Sequence, residues 1–179
     1  MKTRNLVLTG IMAALLAICA WISIPTAVPF TLQTMEVCLG VGQLGGKLGS
    51  LSVGVYLLLG AVGLPVFSHF TGGIGALVGT TGGYLLGFLL IALVMWAAEA
   101  LLGKGPIVYL GSAVVGLAVC YLFGSVWYLY LYSAGGASAD MLTVLGWCVF
   151  PFIVPDLIKL ALAFALSRRL SPALSRQRT

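Results

Sequence analysis

Two oppositely charged side chains stand three residues apart inside a long apolar run near the C-terminal end of the chain. They are Asp156 and Lys159, in the stretch Pro151–Lys159. Residues three apart share one face of a helix, so this carboxylate and this ammonium can address one ligand or each other. Placing an ionised group at the centre of a bilayer costs about 2.5–3.5 kcal/mol on insertion scales, and such groups usually serve a function. Two interpretations follow: a polar ligand site, or a structural ion pair without a substrate.

The composition is that of an integral membrane protein. Of the 179 residues, 61% are hydrophobic and 7% are charged, which leaves too few polar side chains to cover a soluble globule. A helical span needs about 20 apolar residues, so the chain has room for up to six spans and no separate soluble domain. Unbroken apolar runs replace the two-residue alternation of a membrane barrel. We therefore predict an all-α bundle of six transmembrane helices, forming a single membrane domain over residues 1–179.

Basic residues lie between and beyond the apolar runs, where they indicate membrane orientation. Nine Lys and Arg outnumber four Asp and Glu, an excess that in a soluble protein would suggest nucleic acid. With six spans and cytoplasmic termini, the basic residues other than Lys159 all fall on the inner side. These are Lys2, Arg4, Lys47, Lys104, Arg168, Arg169, Arg176 and Arg178. The pattern predicts cytoplasmic termini, contact with membrane lipids, no nucleic-acid partner, and outer loops at 25–34, 64–73 and 133–141.

The sequence carries no motif for a metal, a nucleotide or a disulfide. Cys19, Cys38, Cys120 and Cys148 lack CxxC or Cys/His spacing, and we interpret them as small buried hydrophobes. Residues 40–45 match GxGxxG but lack the preceding strand and the following acidic residue of a dinucleotide site. We therefore expect no metal, no cofactor and no ATP site within the chain.

The apolar runs also predict the approximate bounds of the helices. The first three spans cover about residues 6–24, 35–46 and 48–63, and the second and third are short. The fourth span ends near 102, the fifth begins at 107, and the sixth ends at 168–169. Residues 141–150 form either a separate half-helix or the start of the sixth span.

Small residues recur every fourth position in two places. Ala13 and Ala17 form a stripe on the first span that either packs inside the bundle or faces a partner. Glycines at 75, 79, 83 and 87 predict a helix, or a helix interrupted near residues 80–83. Either a neighbouring helix packs closely against this glycine face, which the spacing favours, or a ligand lies against exposed backbone there.

Polar and aromatic residues on the outer side can meet the charged pair. If the sixth span enters the membrane at its prolines, Asp156 and Lys159 lie one or two turns below the outer face. The loop Phe30–Thr34, the segment Gly82–Tyr84 and Trp127 lie near that same face in the predicted topology. We therefore predict that these elements converge on one outward-facing pocket.

Four sequence blocks resemble a known membrane protein family. The blocks are Val28–Thr34, Leu57–Phe67, Thr81–Phe88 and Pro151–Lys159, which occur in the family's order. They resemble the biotin-specific substrate-binding component of energy-coupling-factor vitamin transporters. The resemblance implies a six-helix protein of the bacterial plasma membrane that captures biotin from outside, with no enzymatic reaction and no bound cofactor. It also implies that a transmembrane coupling protein and two ATPase subunits drive release into the cytoplasm.

The resemblance further implies roles for individual residues. Asp156 and Lys159 would bind biotin, and Ala13 and Ala17 would face the coupling protein. A second wall of the site would consist of Thr81, Gly82, Gly83 and Tyr84. A gating loop would contain Phe30, Thr31 and Gln33. Biotin offers ureido N–H donors, a carbonyl acceptor, a carboxylate and an apolar ring, and which group meets which residue stays open. Thr80 and Glu36 depart from the family pattern, which usually has a proline and an apolar residue at these positions.

Other interpretations remain open. The same architecture could bind another vitamin, or the chain could be a purely structural assembly subunit. An intramembrane acyl- or prenyl-transferase could use a buried acid and base, although the sequence lacks a metal-binding Asp cluster and a nucleophile paired with a base. The sequence also leaves open whether the chain forms a homo-oligomer.

Overall fold

The computed structural model of the protein describes residues 3–25, 28–136 and 138–176, with side chains through residue 170. Lys2 and Arg178, which contribute to the predicted orientation, lie outside the described residues. The elements in chain order are α1 (Thr3–Trp21), β1 (Ser23–Ile24), β2 (Phe30–Thr31), α2 (Gln33–Leu44), α3 (Gly46–Ala61), a 3-10 turn (Ser68–Phe70), α4 (Ile74–Val78), α5 (Gly82–Leu102), α6 (Pro106–Ala134), α7 (Met141–Cys148) and α8 (Phe150–Arg176).

Within the described residues, four helices are long and apolar enough to cross a membrane. They are α1, α5, α6 and the part of α8 from Phe150 to Leu170. At 1.5 Å per residue, the 12 residues of α2 and the 16 of α3 extend only about 18 and 24 Å, which is less than the bilayer's hydrocarbon core. The structure therefore confirms a mostly helical chain with several candidate spans. The count of six, which includes α2 and α3, stays a prediction.

A small antiparallel ribbon departs from the predicted all-helical fold. Ser23 pairs with Thr31, and Ile24 pairs with Phe30. The first helix therefore ends at Trp21, three residues before the predicted end, because the chain leaves it to form β1. The backbone N–H of Leu32 donates to the Cys19 carbonyl at 3.2 Å, which ties the start of α2 to the end of α1. The ribbon is thus held at one end of the bundle.

The glycine stripe is interrupted as one of the two sequence interpretations anticipated. Helix α4 ends at Val78 and α5 begins at Gly82. The Gly79 carbonyl between them accepts hydrogen bonds from the Trp127 indole N–H and from the Gly82 backbone N–H, both at 3.0 Å. A side chain at Gly83 would collide with the Cβ of Trp127, and one at Gly87 would lie 2.5 Å from the Cys120 sulfur. The glycines therefore allow α5 and α6 to pack very closely, which is the helix-packing interpretation.

A second interruption separates α7 from α8 at Val149, so residues 141–148 are a half-helix of their own. The Asp140 carboxylate caps α7 by accepting a hydrogen bond from the Thr143 backbone N–H at 3.1 Å. Hydrogen bonds from the Thr143 side chain and backbone lower the pKa of this exposed carboxyl. Pro151 lies in the first turn of α8, where its missing N–H is not needed. Helix α8 continues to Arg176, past the predicted end at 168–169.

The close approach of α5 and α6 predicts that alanine destabilises the protein at one glycine of the stripe and not at another. We expect Gly83→Ala to lower the free energy of unfolding by about 1–3 kcal/mol, because the added methyl group overpacks the contact with Trp127. Gly75→Ala is the control, since a Cβ at Gly75 meets nothing within 4 Å. Thermal unfolding in detergent measures both variants. Equal stability of the two would contradict the packing contact.

Candidate functional site

The predicted acid and base form a buried ion pair. The Lys159 ammonium lies 2.8 Å from the Asp156 Oδ1 atom, and the two residues are only 5% and 3% exposed. Both project from the second and third turns of α8, after the prolines. Burial removes the solvation of both charges, so each must find additional partners in the protein.

Three other elements supply those partners. Thr34, at the start of α2, donates its hydroxyl to Asp156 Oδ1 at 3.0 Å, and Tyr121 of α6 donates its hydroxyl to Asp156 Oδ2 at 2.6 Å. Lys159 donates to the backbone carbonyl of Thr31 in β2 at 2.6 Å. The same ammonium lies 3.8 Å from the centre of the Phe30 ring, a cation–π contact. The pair therefore joins the ribbon, α2, α6 and α8.

Side-chain hydrogen bonds fix the ribbon strand in place. The Thr31 hydroxyl donates to the Gln33 side-chain oxygen at 3.0 Å, and the Gln33 amide nitrogen donates to the Tyr56 hydroxyl of α3 at 2.7 Å. Phe30 stacks on Phe152 of α8 with ring centres 5.9 Å apart. These contacts hold β2 over the ion pair like a cover.

Two adjoining cavities open beside the pair, with volumes of about 40 and 50 Å³. We call them the Asp156 cavities. They share the lining residues Val28, Pro29, Thr31, Tyr84 and Phe88. The first also contains Thr34, Cys120, Tyr121, Cys148, Phe152, Asp156 and Lys159, and the second Gln33, Phe67, Ser68, Thr71, Ala76, Thr81 and Leu85. Apolar walls with a few converging polar groups are typical of small-molecule sites, which usually hold about 300–1,000 Å³. A ligand of that size therefore requires the Asp156 cavities to enlarge.

The structure brings together most of the residues predicted for the site. Six line the Asp156 cavities: Thr31, Gln33, Thr81, Tyr84, Asp156 and Lys159. Four others lie behind the lining, namely Phe30, Gly82, Gly83 and Trp127. Phe30 contacts Lys159, while the two glycines and Trp127 form the junction of α4, α5 and α6. The Tyr84 hydroxyl shares a hydrogen bond of 3.0 Å with Ser125.

Sequence reasoning missed two hydroxyl groups that contact Asp156 directly. Thr34 belongs to the predicted outer loop, but its hydroxyl had no assigned role. Tyr121 lies in the middle of the long apolar helix α6. Trp127, the aromatic residue of this helix that was predicted for the site, lies nearer its C-terminal end. In the sequence, Tyr121 is marked only as a tyrosine in the middle of an apolar run. Which way its side chain points depends on the rotation of α6 about its axis, and that rotation cannot be read from the sequence.

The stripe of small residues on the first helix is buried within the chain, which does not fit the docking role that the family resemblance implies. Ala13 and Ala17 are 2% and 6% exposed, because they pack in the core of the chain itself. Of the two interpretations of this stripe, internal packing is therefore the one that the structure supports. Gly10 and Ala14, also four residues apart, lie on the exposed side of α1.

The structure also shows the positions of the four cysteines and of Glu36, the acidic residue that departs from the family pattern. Cys38, Cys120 and Cys148 are buried, as predicted for small hydrophobes, whereas Cys19 is half-buried. Glu36 lies in the first turn of α2 and is 4% exposed. Its position near a helix N-terminus favours a carboxyl group there.

The chain is similar to known proteins over nearly its whole length. A family model described as the BioY family matches residues 1–176. A biotin transporter BioY of Thermotoga maritima is 45% identical over 168 residues, which cover 93% of this chain and 95% of that protein. A probable biotin transporter BioY of Pyrococcus horikoshii is 40% identical and covers 95% of this chain and 98% of its own. A crystal structure of the S-component for biotin from an ECF-type ABC transporter superposes with a TM-score of 0.82 and 28% identity, over 94% of this chain and 91% of that one.

The buried ion pair predicts a large effect of removing one charge and a small effect of removing both. We expect Asp156→Asn to lower the free energy of unfolding by about 3–5 kcal/mol, because Lys159 then stays buried without its carboxylate. The double variant Asp156→Asn with Lys159→Met removes both charges and should recover most of that loss. Denaturant unfolding in detergent measures the two variants.

Asp140→Asn is the control for this experiment, since Asp140 is exposed and Asn can still cap α7. It should leave the stability nearly unchanged. A double variant that is less stable than Asp156→Asn would show that the two charges do not neutralise each other.

Proposed function

The chain belongs to the BioY family, and we propose that it is the membrane-embedded subunit that captures biotin for an ECF-type uptake transporter. The observation that carries this proposal is the buried Asp156–Lys159 pair beside apolar and aromatic cavity walls. Among the alternatives, a purely structural ion pair explains neither the cavities nor the cover of β2 above them. Membership of a transporter family argues against the intramembrane transferase.

The geometry of the pair suits the ureido ring of biotin. In a cyclic urea an N–H donor and the C=O acceptor lie side by side on one edge of the ring. The Asp156 carboxylate and the Lys159 ammonium likewise present an acceptor and a donor side by side, 2.8 Å apart. We propose that the ureido edge binds here, with its N–H on Asp156 and its carbonyl on Lys159.

The remaining groups of biotin have plausible partners in the same cavities. The thioether ring would pack against Tyr84, Phe88 and Phe152, which supply aromatic walls. The valerate chain would extend into the cavity that contains Gln33 and Thr81, whose amide and hydroxyl groups can donate hydrogen bonds to a carboxylate. In this arrangement Thr31 and Phe30 cover the ligand as parts of the gating loop.

We propose the predicted orientation, with the ribbon outside and both termini in the cytoplasm. The positions of two turns support it. Glu99, at the end of α5, accepts hydrogen bonds from the Gly46 N–H at 2.6 Å and pairs with Lys104 at 3.0 Å. The α2–α3 turn with Lys47 and the α5–α6 turn with Lys104 therefore lie together at one end, as a cytoplasmic side rich in basic residues requires.

Release into the cytoplasm would be driven by a transmembrane coupling protein and two ATPase subunits in the bacterial plasma membrane. Because Ala13 and Ala17 are buried, the exposed side of α1 around Gly10 and Ala14 is the better candidate for contact with the coupling protein. Small residues there allow a partner helix to approach closely.

Calorimetric titration of the purified protein with biotin tests the ligand assignment. We expect tight binding of biotin that is lost in Asp156→Asn and retained in Asp140→Asn, because only Asp156 offers its carboxylate to the ureido group. Riboflavin and thiamine are the controls for another vitamin. A folded sample that binds one of them and not biotin would overturn the assignment.

A milder substitution tests the site without removing a charge. Tyr121→Phe keeps the ring but removes the hydroxyl that holds Asp156, and hydrogen bonds to charged groups contribute about 1.5–3 kcal/mol. Because 1.4 kcal/mol corresponds to a factor of about ten in the dissociation constant, we expect the affinity for biotin to fall roughly tenfold or more. Tyr130→Phe is the matched control, because Tyr130 lies on the same helix and the residue is 72% exposed. Equal affinities of the two variants would exclude a role of Tyr121 in binding.

A further inference from the structure

Tyr84 belongs to the wall that the two Asp156 cavities share. It lines both of them, as do Val28, Pro29, Thr31 and Phe88. Tyr84 lies in the first turn of α5 and is only 5% exposed. In the proposed binding mode the thioether ring of biotin packs against this aromatic wall. The position of the Tyr84 ring therefore influences which ring shapes the cavities accept.

Two consecutive residues of α6, Gly124 and Ser125, hold Tyr84 in this position. The ring lies so close to Gly124 that a Cβ there would collide with the Cδ1 and Cε1 atoms of Tyr84. The Tyr84 hydroxyl shares its 3.0 Å hydrogen bond with the Ser125 hydroxyl, and Ser125 is fully buried. The ring and the hydroxyl of Tyr84 are therefore both fixed by α6.

Gly124 and Ser125 lie behind the cavity wall. Tyr84 lines both Asp156 cavities, whereas neither Gly124 nor Ser125 lines either of them. A ligand in the cavities therefore meets the Tyr84 side chain, and the two residues of α6 can affect that ligand only through Tyr84.

The helices on both sides of Tyr84 have little room to separate. A Cβ at Gly83 would collide with the Trp127 side chain, and one at Gly87 would lie 2.5 Å from the Cys120 sulfur. Closely packed contacts of this kind resist displacement, so added volume is taken up where free space exists. The free space beside Tyr84 is that of the cavities. A larger residue behind the ring should therefore push the ring toward the ligand.

Biotin and its analogue desthiobiotin differ at the ring that this wall would contact. Both carry a ureido ring and a chain that ends in a carboxylate, but desthiobiotin lacks the sulfur atom that closes the second ring of biotin. A thioether sulfur gains from contact with an aromatic ring. A rigid bicyclic ligand also gains more than a flexible one from a wall that is already in place. A fixed Tyr84 ring therefore favours biotin over desthiobiotin.

We propose that Gly124 and Ser125 are positioning residues that set the preference of the site for the bicyclic ring of biotin over the open ring of desthiobiotin. Gly124 provides space for the Tyr84 ring, and Ser125 holds its hydroxyl. This inference rests on the proposed function, because it takes biotin to be the ligand of the Asp156 site. The ion pair of that site would meet the ureido group of either ligand, so it does not distinguish between them.

The ratio of the affinities for biotin and desthiobiotin tests the proposal. Calorimetric titration gives both dissociation constants for the wild type and for each variant. We expect Gly124→Ala to reduce the preference for biotin about three- to tenfold, because the displaced Tyr84 ring no longer fits the bicyclic ligand. Gly111→Ala is the matched control on the same helix, since a Cβ at Gly111 meets nothing within 4 Å. It should leave the preference unchanged.

Ser125→Ala removes the hydrogen bond to Tyr84 without adding volume, and it tests the proposal even if Gly124→Ala does not fold. We expect it to reduce the preference for biotin, and Tyr84→Phe to do so by the same factor. The double variant should match either single variant, because Ser125 acts through the Tyr84 hydroxyl. Tyr121→Phe should weaken both ligands equally, because Tyr121 holds the carboxylate that meets the ureido group, and should leave the ratio unchanged.

Three results would overturn the inference. The first is a wild-type chain that binds biotin and desthiobiotin equally tightly. The second is a preference that stays at the wild-type value in folded Gly124→Ala or Ser125→Ala protein. The third is a pair of effects, of Ser125→Ala and Tyr84→Phe, that add up in the double variant. Absence of tight biotin binding by the wild-type chain would instead refute the proposed function, so the two failures are distinguishable.

Discussion

The fold depends on the cost of burying two charges in an apolar helix bundle. Neither Asp156 nor Lys159 has water to solvate it, so the protein must provide donors and acceptors from elsewhere. It does so with a hydroxyl at the start of α2, a hydroxyl in the middle of α6, and a main-chain carbonyl of β2. These groups come from distant parts of the chain. The pair is therefore the point at which the ribbon, α2, α6 and α8 are held in register.

Close helix packing and interrupted helices make that convergence possible. Gly83 and Gly87 bring α5 against α6, which places Tyr84 and Tyr121 on the same cavity wall. The interruptions between α4 and α5 and between α7 and α8 expose backbone groups that need partners at membrane depth. Trp127 bonds the Gly79 carbonyl, and the backbone N–H of Val149 bonds the Leu145 carbonyl. Irregular backbone next to the site is thus kept hydrogen-bonded.

Much of this arrangement could be predicted from the sequence. Two charged residues inside an apolar run indicated the candidate site. The four-residue spacing of glycines indicated both the close helix packing and the interruption of the helix. Turn residues indicated most of the helix bounds. What the sequence did not give was rotation about helix axes. Tyr121 could be assigned to α6 but not to the face that meets Asp156, and Ala13 and Ala17 could be placed on a stripe but not on its inner side. The ribbon was missed because each of its strands has only two residues, too few for a periodic pattern.

The contact between Lys159 and the Thr31 carbonyl bears on the rates at which a ligand binds and dissociates. In the proposed binding mode, ligand and ribbon would compete for the same ammonium, so biotin would enter only during the fraction of time in which the ribbon has left Lys159. The association rate and the apparent affinity are both reduced by that fraction. With a ligand on Lys159, the ribbon's other contacts would delay escape, namely the Gln33–Tyr56 hydrogen bond and the stacking of Phe30 on Phe152. In that binding mode the affinity would come mainly from slow dissociation, and a long residence time would suit a carrier that has to hold its ligand until release.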